Sequence, residues 1–271
     1  MVGRYAISTA PDSSDLAVRD MSKVLFFDIE TAPNLSYVWG QWQQDVIEHA
    51  REWYIICFSY KWEHEKKTHV VSLDDFDLYN EEPENDFDVA YKLWQLLDEA
   101  DIVIGHNSDA FDIKKANARF VYHNFGPTGP YQTVDTLKIA RKHFKFNSNR
   151  LGHLGEHLGL GGKEVTGGFQ TWAGCMKGEA KAWGTMKKYA KQDVDLLVDV
   201  YERLRPWMTN HPNRNVIDST SRQCPTCGSD RLQNRGVRCT RTMSYHTYQC
   251  QRCRSYCRER LTNTSARPEV V

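Results

Sequence analysis

No stretch of this 271-residue chain approaches the roughly 18 consecutive apolar residues of a membrane-crossing helix, so no helical span is expected. The opening stretch MVGRYAISTAPDSSD lacks the apolar segment of a secretory signal, and residues 1–21 are expected to form a flexible leader. No internal repeat or low-complexity tract is present. Net charge is absent too, with 35 basic and 35 acidic residues. Cysteine is sparse through most of the chain: only Cys57 and Cys175 precede residue 224. What remains is a globular chain, long enough for one moderate domain and a small appendage.

The zero net charge conceals an asymmetry. From Arg214 onward there are 11 Arg, no Lys and four acidic residues, a balance of +7 that leaves −7 on the first 213 residues. Such a split suggests a basic module that meets a polyanion, attached to a more acidic body. The other six Cys fall between 224 and 257. That clustering points to metal rather than disulfides, and to a reducing compartment such as the cytoplasm.

Short apolar runs at VLFFDIE (24–30), YIICFSYKW (54–62), THVVSL (68–73) and DIVIGHN (101–107) predict strands. Helical spacing appears over Phe87–Leu97, in FDIKKANARFVYHNF, in TVDTLKIARKHF and RLGHLGEHLGL, and from about Glu179 to Leu204, where Pro206 stops it. The acid-rich run 74–88 reads as a solvated loop, and GLGGKEVTGGFQTWAGC as a Gly-rich connection. GLGGK is not a phosphate-binding loop, because the G-x4-G-K-S/T spacing fails. Residues 209–221 read as a linker. Alternating strands and helices predict an α/β body with a partly parallel sheet.

Three carboxylate patterns stand out. In a strand, Asp28 and Glu30 project from one face, where they repel each other unless a cation is shared. An edge strand with a solvated polar face would also explain them. Asp112 follows a strand end, the usual place for active groups on a parallel sheet, although an N-cap or a surface acid (Asp109 equally) has the same look. Asp193 falls within the apolar stripe Met186, Tyr189, Leu196 or Leu197, Val200, Leu204, with Tyr189 four residues earlier on the same face. A core Tyr beside a partly exposed Asp is the alternative there.

Together, DxE, N-x3-FD and YxxxD in this order resemble the DEDD superfamily of 3′–5′ exonucleases in its tyrosine-bearing branch. That branch includes the proofreading domains of family B DNA polymerases. VDTLKIARKHF and SNRLGHLGEHLGLGGK also resemble segments of small, often phage-encoded members, and the resemblance covers about residues 22–207. It implies a ribonuclease-H-like fold, a mixed central sheet flanked by helices, over residues 22–208. It implies that Asp28, Glu30, Asp112 and Asp193 bind two Mg²⁺ or Mn²⁺ ions, one through Asp28, Glu30 and Asp193 and the other mainly through Asp28 and Asp112. Tyr189 would orient the attacking water, and Asn107 and Thr31 would touch the terminal nucleotide. Asp135 matches an acid common after the second motif, but its position suits an N-cap equally. Trp39 and Trp42, in the loop after Glu30, are expected to pack rather than to stack on bases. The implied activity releases nucleoside 5′-monophosphates from the 3′ end of DNA, in the cytoplasm of a cell or of a phage host, with replication or repair proteins as further partners. An exoribonuclease or structure-specific nuclease on the same fold, and a non-catalytic nucleic-acid-binding protein, are the competing readings. A lost carboxylate would mark the last of these, and none is missing.

Cys224, Cys227, Cys250 and Cys253 form two C-x2-C pairs separated by 22 residues, the pattern of a zinc ribbon holding one structural Zn²⁺ over residues 222–262, before a tail at 263–271. Cys239, Cys257 and His246 are surplus to that set. Arg and Tyr interleave through the segment, which suits phosphate contact and stacking, although a ribbon can equally dock protein.

Overall fold

The computed structural model describes residues 21–42, 45–162, 167–218, 222–240 and 244–259. The expected leader up to residue 20, the tail, and Arg241 and Arg260 lie outside the described residues. In chain order the elements are β1 (Val24–Thr31), β2 (Leu35–Tyr37), β3 (Glu48–Arg51), β4 (Ile55–Trp62), β5 (His69–Ser72), α1 (Leu78–Glu81), α2 (Phe87–Glu99), β6 (Ile102–Gly105) and α3 (Asp112–Tyr122). There follow β7 (Gln132–Asp135), α4 (Thr136–His143), α5 (Leu151–His157), α6 (Phe169–Met176), α7 (Ala180–Leu204), α8 (Arg214–Ile217), β8 (Leu232–Cys239), β9 (Ser244–Cys250) and β10 (Tyr256–Arg258).

The main sheet has the order β5-β4-β1-β6-β7. β4 and β5 run antiparallel beside β1, while β6 and β7 run parallel to it, so the sheet is mixed. β1 lies at the centre, and the edge-strand explanation of Asp28 and Glu30 fails. Its alternation explains its sequence. Leu25, Phe27 and Ile29 enter one core with Val89, Leu93, Leu97, Ala116 and Phe120 of α2 and α3. Val24 and Phe26 enter the other, under Leu197, Val200 and Tyr201 of α7. The same face then leaves the core and carries Asp28 and Glu30.

Several expectations are corrected. The acid-rich run is only partly a solvated loop: Asp75, Asp77 and residues 80–84 are exposed, but it also holds a 3₁₀ turn and α1, and Asp86 is wholly buried. Asp86 accepts from Ile55 N and Arg119 Nε, both at 2.8 Å, and from His123 Nε2 at 2.6 Å. Asp74 and Asp75 pair with Lys187 of α7 at 2.9 and 2.8 Å. The Gly-rich connection contains α6. The segment expected as a linker contains α8, whose buried Arg214 donates to Ser22 Oγ and to Glu63 at 2.9 and 2.7 Å. Trp39 and Trp42 do not pack inside; they are 88% and 77% exposed, in the chain joining β2 to β3.

The C-terminal module pairs β8, β9 and β10 antiparallel. Its two C-x2-C turns repeat one design. Cys224 N donates to Ser229 O and Cys250 N to Ser255 O, and each second cysteine is followed by a residue at positive φ, Gly228 (71°) and Arg254 (66°). The module is joined to the body by Arg214 N to Pro225 O at 2.8 Å, Asn215 Nδ2 to Gln223 O at 2.7 Å, and Ser255 Oγ to Arg205 O at 3.3 Å.

Candidate functional site

Asp28 and Glu30 reach the cleft from the far end of β1, where the β1–β4 register shifts between Glu30 and Thr31. A bulge of this kind re-aims side chains where pairing ends. Ser59 of β4 lies directly opposite Asp28, and its hydroxyl donates to Ala190 O of α7 at 2.7 Å. This buried peg sets how far α7 slides along the sheet, and Asp193 sits one turn beyond it. Carboxylate oxygens of Asp28, Glu30 and Asp193 thereby come within 4.8 Å of one another. Asp193 is buried, so the partly exposed alternative does not hold.

Tyr189 lies one turn before Asp193, half-buried, with Trp172 of α6 set edge-on at 6.0 Å. Burial, reinforced by the charges of Asp193 and Glu30, raises its phenol well above the usual range. The hydroxyl carries its proton at neutral pH, as an ordinary phenol does, and can donate a hydrogen bond. Asp112 is buried at the start of α3 and accepts from Ile29 N at 3.1 Å. It lines the same cleft but stands outside the close trio. Desolvation pushes its carboxyl up to about 6; the backbone bond opposes this and the charge of Asp135 adds to it.

Asn107 lines the cleft at φ 68°, a left-handed conformation that Asn tolerates better than most residues. Its N–H donates to Asp135 Oδ1 at 2.9 Å, and the same oxygen accepts from Leu137 N at 2.9 Å. Asp135 is thus the N-cap of α4. Asp109, the other acid weighed at this strand end, pairs with Lys138 at 2.6 Å. Thr31 ends β1, with its hydroxyl 3.5 Å from Lys115 Nζ, itself 3.8 Å above the Trp53 ring.

The cleft is about 920 Å³ in volume. Sequence patterns did not single out His106, Arg141, Arg150 or His153, which also line it, while Phe111 belongs to the N-x3-FD motif. Only the run SNRLGH hinted at this wall. His106 Nε2 donates to Asn149 O at 2.9 Å, since a carbonyl can only accept, and so ties the 147–150 loop to the end of β6.

In the C-terminal module the sulfurs of Cys224, Cys227, Cys250 and Cys253 also lie within 4.8 Å of one another. All four are buried, and Leu232 packs against them. Cys239 is exposed and Cys257 half-buried, and neither belongs to this group. The two donor sets differ in kind: oxygens suit a hard cation such as Mg²⁺ or Mn²⁺, and four sulfurs suit Zn²⁺.

A family model described as the RNase_H superfamily matches residues 25–205. Among solved structures, the chain is similar to the family B DNA polymerase of the hyperthermophilic archaeon Pyrobaculum calidifontis. The TM-score is 0.51 and the identity 16%, over 69% of this chain and 25% of the polymerase. The likeness is one of fold, and the matched region spans about a quarter of the polymerase's length. No curated protein matches the sequence. No helix among the described residues is long and apolar enough to cross a membrane.

Proposed function

The chain belongs to the RNase_H superfamily, and on that premise we propose that it is a metal-dependent 3′–5′ exonuclease of the tyrosine-bearing DEDD type, acting on DNA in preference to RNA. The observation that carries this reading is the convergence of Asp28, Glu30 and Asp193 within 4.8 Å, from two elements far apart in sequence. Three like charges held together suit a shared divalent cation. Asp28, Glu30 and Asp193 would hold one Mg²⁺ or Mn²⁺, and Asp28 with Asp112 a second. Such ions supply an activated water and stabilisation of the leaving 3′-oxygen.

The chain's own residues do the rest. Tyr189 donates a hydrogen bond from its phenol that orients the attacking water. Burial beneath Ile29 holds Asp112 in one position. Asn107 and Thr31 position the terminal nucleotide, and the ordered 147–150 loop closes one side of the cleft. The products are nucleoside 5′-monophosphates. The four cysteines hold one structural Zn²⁺, which organises the C-terminal module.

The test compares the wild type with Asp28→Asn and Asp193→Asn on single-stranded DNA, duplex DNA and RNA, each with free and blocked 3′ ends, in Mg²⁺. Mononucleotide release from free 3′ ends of DNA, lost in both variants while the fold is retained, is the expected result. Trimming by either variant at the wild-type rate would sink the assignment. Equal cleavage of 3′-blocked strands would replace it with an endonuclease, and faster cleavage of RNA with an exoribonuclease.

A further inference from the structure

The strand register of the C-terminal module sorts its side chains onto two unlike faces. Residues directly opposite in an antiparallel pair share a face, and alternate residues along a strand do too. Tyr245, Thr247 and Gln249 of β9 therefore share one face. Opposite them stand Arg238 (to Tyr245), Gln233 (to Gln249), Arg258 (to Thr247) and Tyr256 (to Gln249). Arg235, at the irregularity between Asn234 and Val237, joins this face, since its guanidinium donates to Gln249 Oε1 at 2.7 and 3.1 Å. Arg258 lies over the Tyr245 ring at 4.7 Å. Arg235, Arg238, Arg258 and Tyr256 are all exposed.

The other face carries His246, Tyr248, Cys257 and the cysteine cluster's Cys250. Glu259 belongs there, accepting from the Tyr248 hydroxyl at 3.1 Å. No acidic side chain lies on the first face among the described residues. A face with three guanidinium groups, two phenols and two amides, and no carboxylate, is complementary to a phosphodiester strand with unpaired bases: Arg contacts phosphate and the rings offer stacking surfaces.

The geometry points to this face of β8–β10 as a second, catalysis-independent binding site for single-stranded nucleic acid, holding the strand several nucleotides away from the end in the cleft. The inference rests on the nuclease reading for its purpose, though not for its test. The module is anchored through Arg214 to Ser22, at the opening end of β1. Asp28 lies six residues further along, about 20 Å of strand at roughly 3.3 Å per residue. A strand of a few nucleotides occupies one place at a time, and a long one can engage both.

The experiment is binding of fluorescein-labelled single-stranded DNA to the full zinc-loaded chain, followed by anisotropy at several salt concentrations without added Mg²⁺. Strands of about 20 and about four nucleotides are compared. The triple variant Arg235→Gln, Arg238→Gln, Arg258→Gln should bind the long strand at least about tenfold more weakly. Its log Kd against log salt should flatten by about two, near 0.7 per lost phosphate contact on a single strand. The short strand, with fewer phosphates to meet the face, should lose less affinity than the long one. Thr247→Glu, which adds a carboxylate to the face and keeps every Arg, should weaken long-strand binding in the same direction, and covers a triple variant that fails to fold. Unchanged affinity and slope for the long strand in a folded variant would overturn the proposal. A wild type that binds long strands through this face yet releases no nucleotides would refute the nuclease reading and leave this site standing.

Discussion

The body and the C-terminal module solve the problem of buried polar groups in opposite ways. The body has a double-layered apolar core, and within it charge is neutralised by charge: Asp86, with no exposed surface, gathers Arg119, His123 and a backbone N–H. The module has almost no apolar core. β8 is exposed along nearly its whole length, and its buried apolar groups are four cysteine sulfurs with Leu232 packed beside them. One part of the chain folds by covering hydrocarbon; the other gathers four thiols, the donor set of the Zn²⁺ proposed above to take its place. The trio Asp28, Glu30 and Asp193 belongs to the body but follows the module's logic, since carboxylates gather there as thiols do in the module. Asp86 has a guanidinium beside it, whereas Asp28, Glu30 and Asp193 have one another, the arrangement proposed above to hold a cation.

The comparison breaks most sharply at the cysteines. Cys224→Ser, or exhaustive chelation of the zinc-loaded chain, should unfold the module while leaving the body folded. Structural zinc of this kind is worth on the order of 10 kcal/mol. Loss of the module's signals in an NMR spectrum, with those of the apolar core retained, checks it; collapse of the body as well would show that the two are one unit. Next comes the contrast between acids. Asp86→Ala strands Arg119 and His123 and should cost about 3–5 kcal/mol of body stability in urea. Asp193→Asn should leave stability equal or higher while abolishing Mg²⁺-dependent trimming.

Asp112 gives a smaller effect with a definite sign. Its carboxyl titrates near 6 in the folded chain, against about 4 when unfolded, so the native state holds the proton longer. Its contribution is fully present below pH 4 and is lost as pH rises through 6, about 2–3 kcal/mol in all. Urea titrations at pH 4 and pH 7 without divalent metal should show that slope, and Asp112→Asn should remove it. Least is expected at Arg254, which occupies in the second cysteine turn the left-handed place that Gly228 fills in the first. Arg254→Gly should stabilise the module by about 1 kcal/mol, read as slower zinc release to a chelator.

Much of the sheet was legible in the sequence because β1, β4 and β6 are short apolar runs that little else explains. β7 was not, since QTVD buries only its last two residues and passes straight into α4, Asp135 serving both as strand end and as helix cap. α6 was hidden by its glycines. Gly174 there reflects close packing rather than a loop: a Cβ would stand 2.5 Å from Ala182 Cβ of α7. Asp86 was misread because its partners lie more than thirty residues away, beyond any local pattern. At the candidate site, same-face spacing along a strand and along a helix made Asp28, Glu30, Tyr189 and Asp193 visible. The Ser59 peg and the wall from Arg141 to His153 depend on tertiary contacts with no periodic trace.

The long separation between β1 and α7 also sets a clock. Asp28 and Glu30 leave the ribosome about 160 residues before Asp193. At roughly 5–20 residues per second, the third carboxylate follows the first two by about ten to thirty seconds. A nascent or truncated chain ending before α7 carries the strand acids without the helix that completes them.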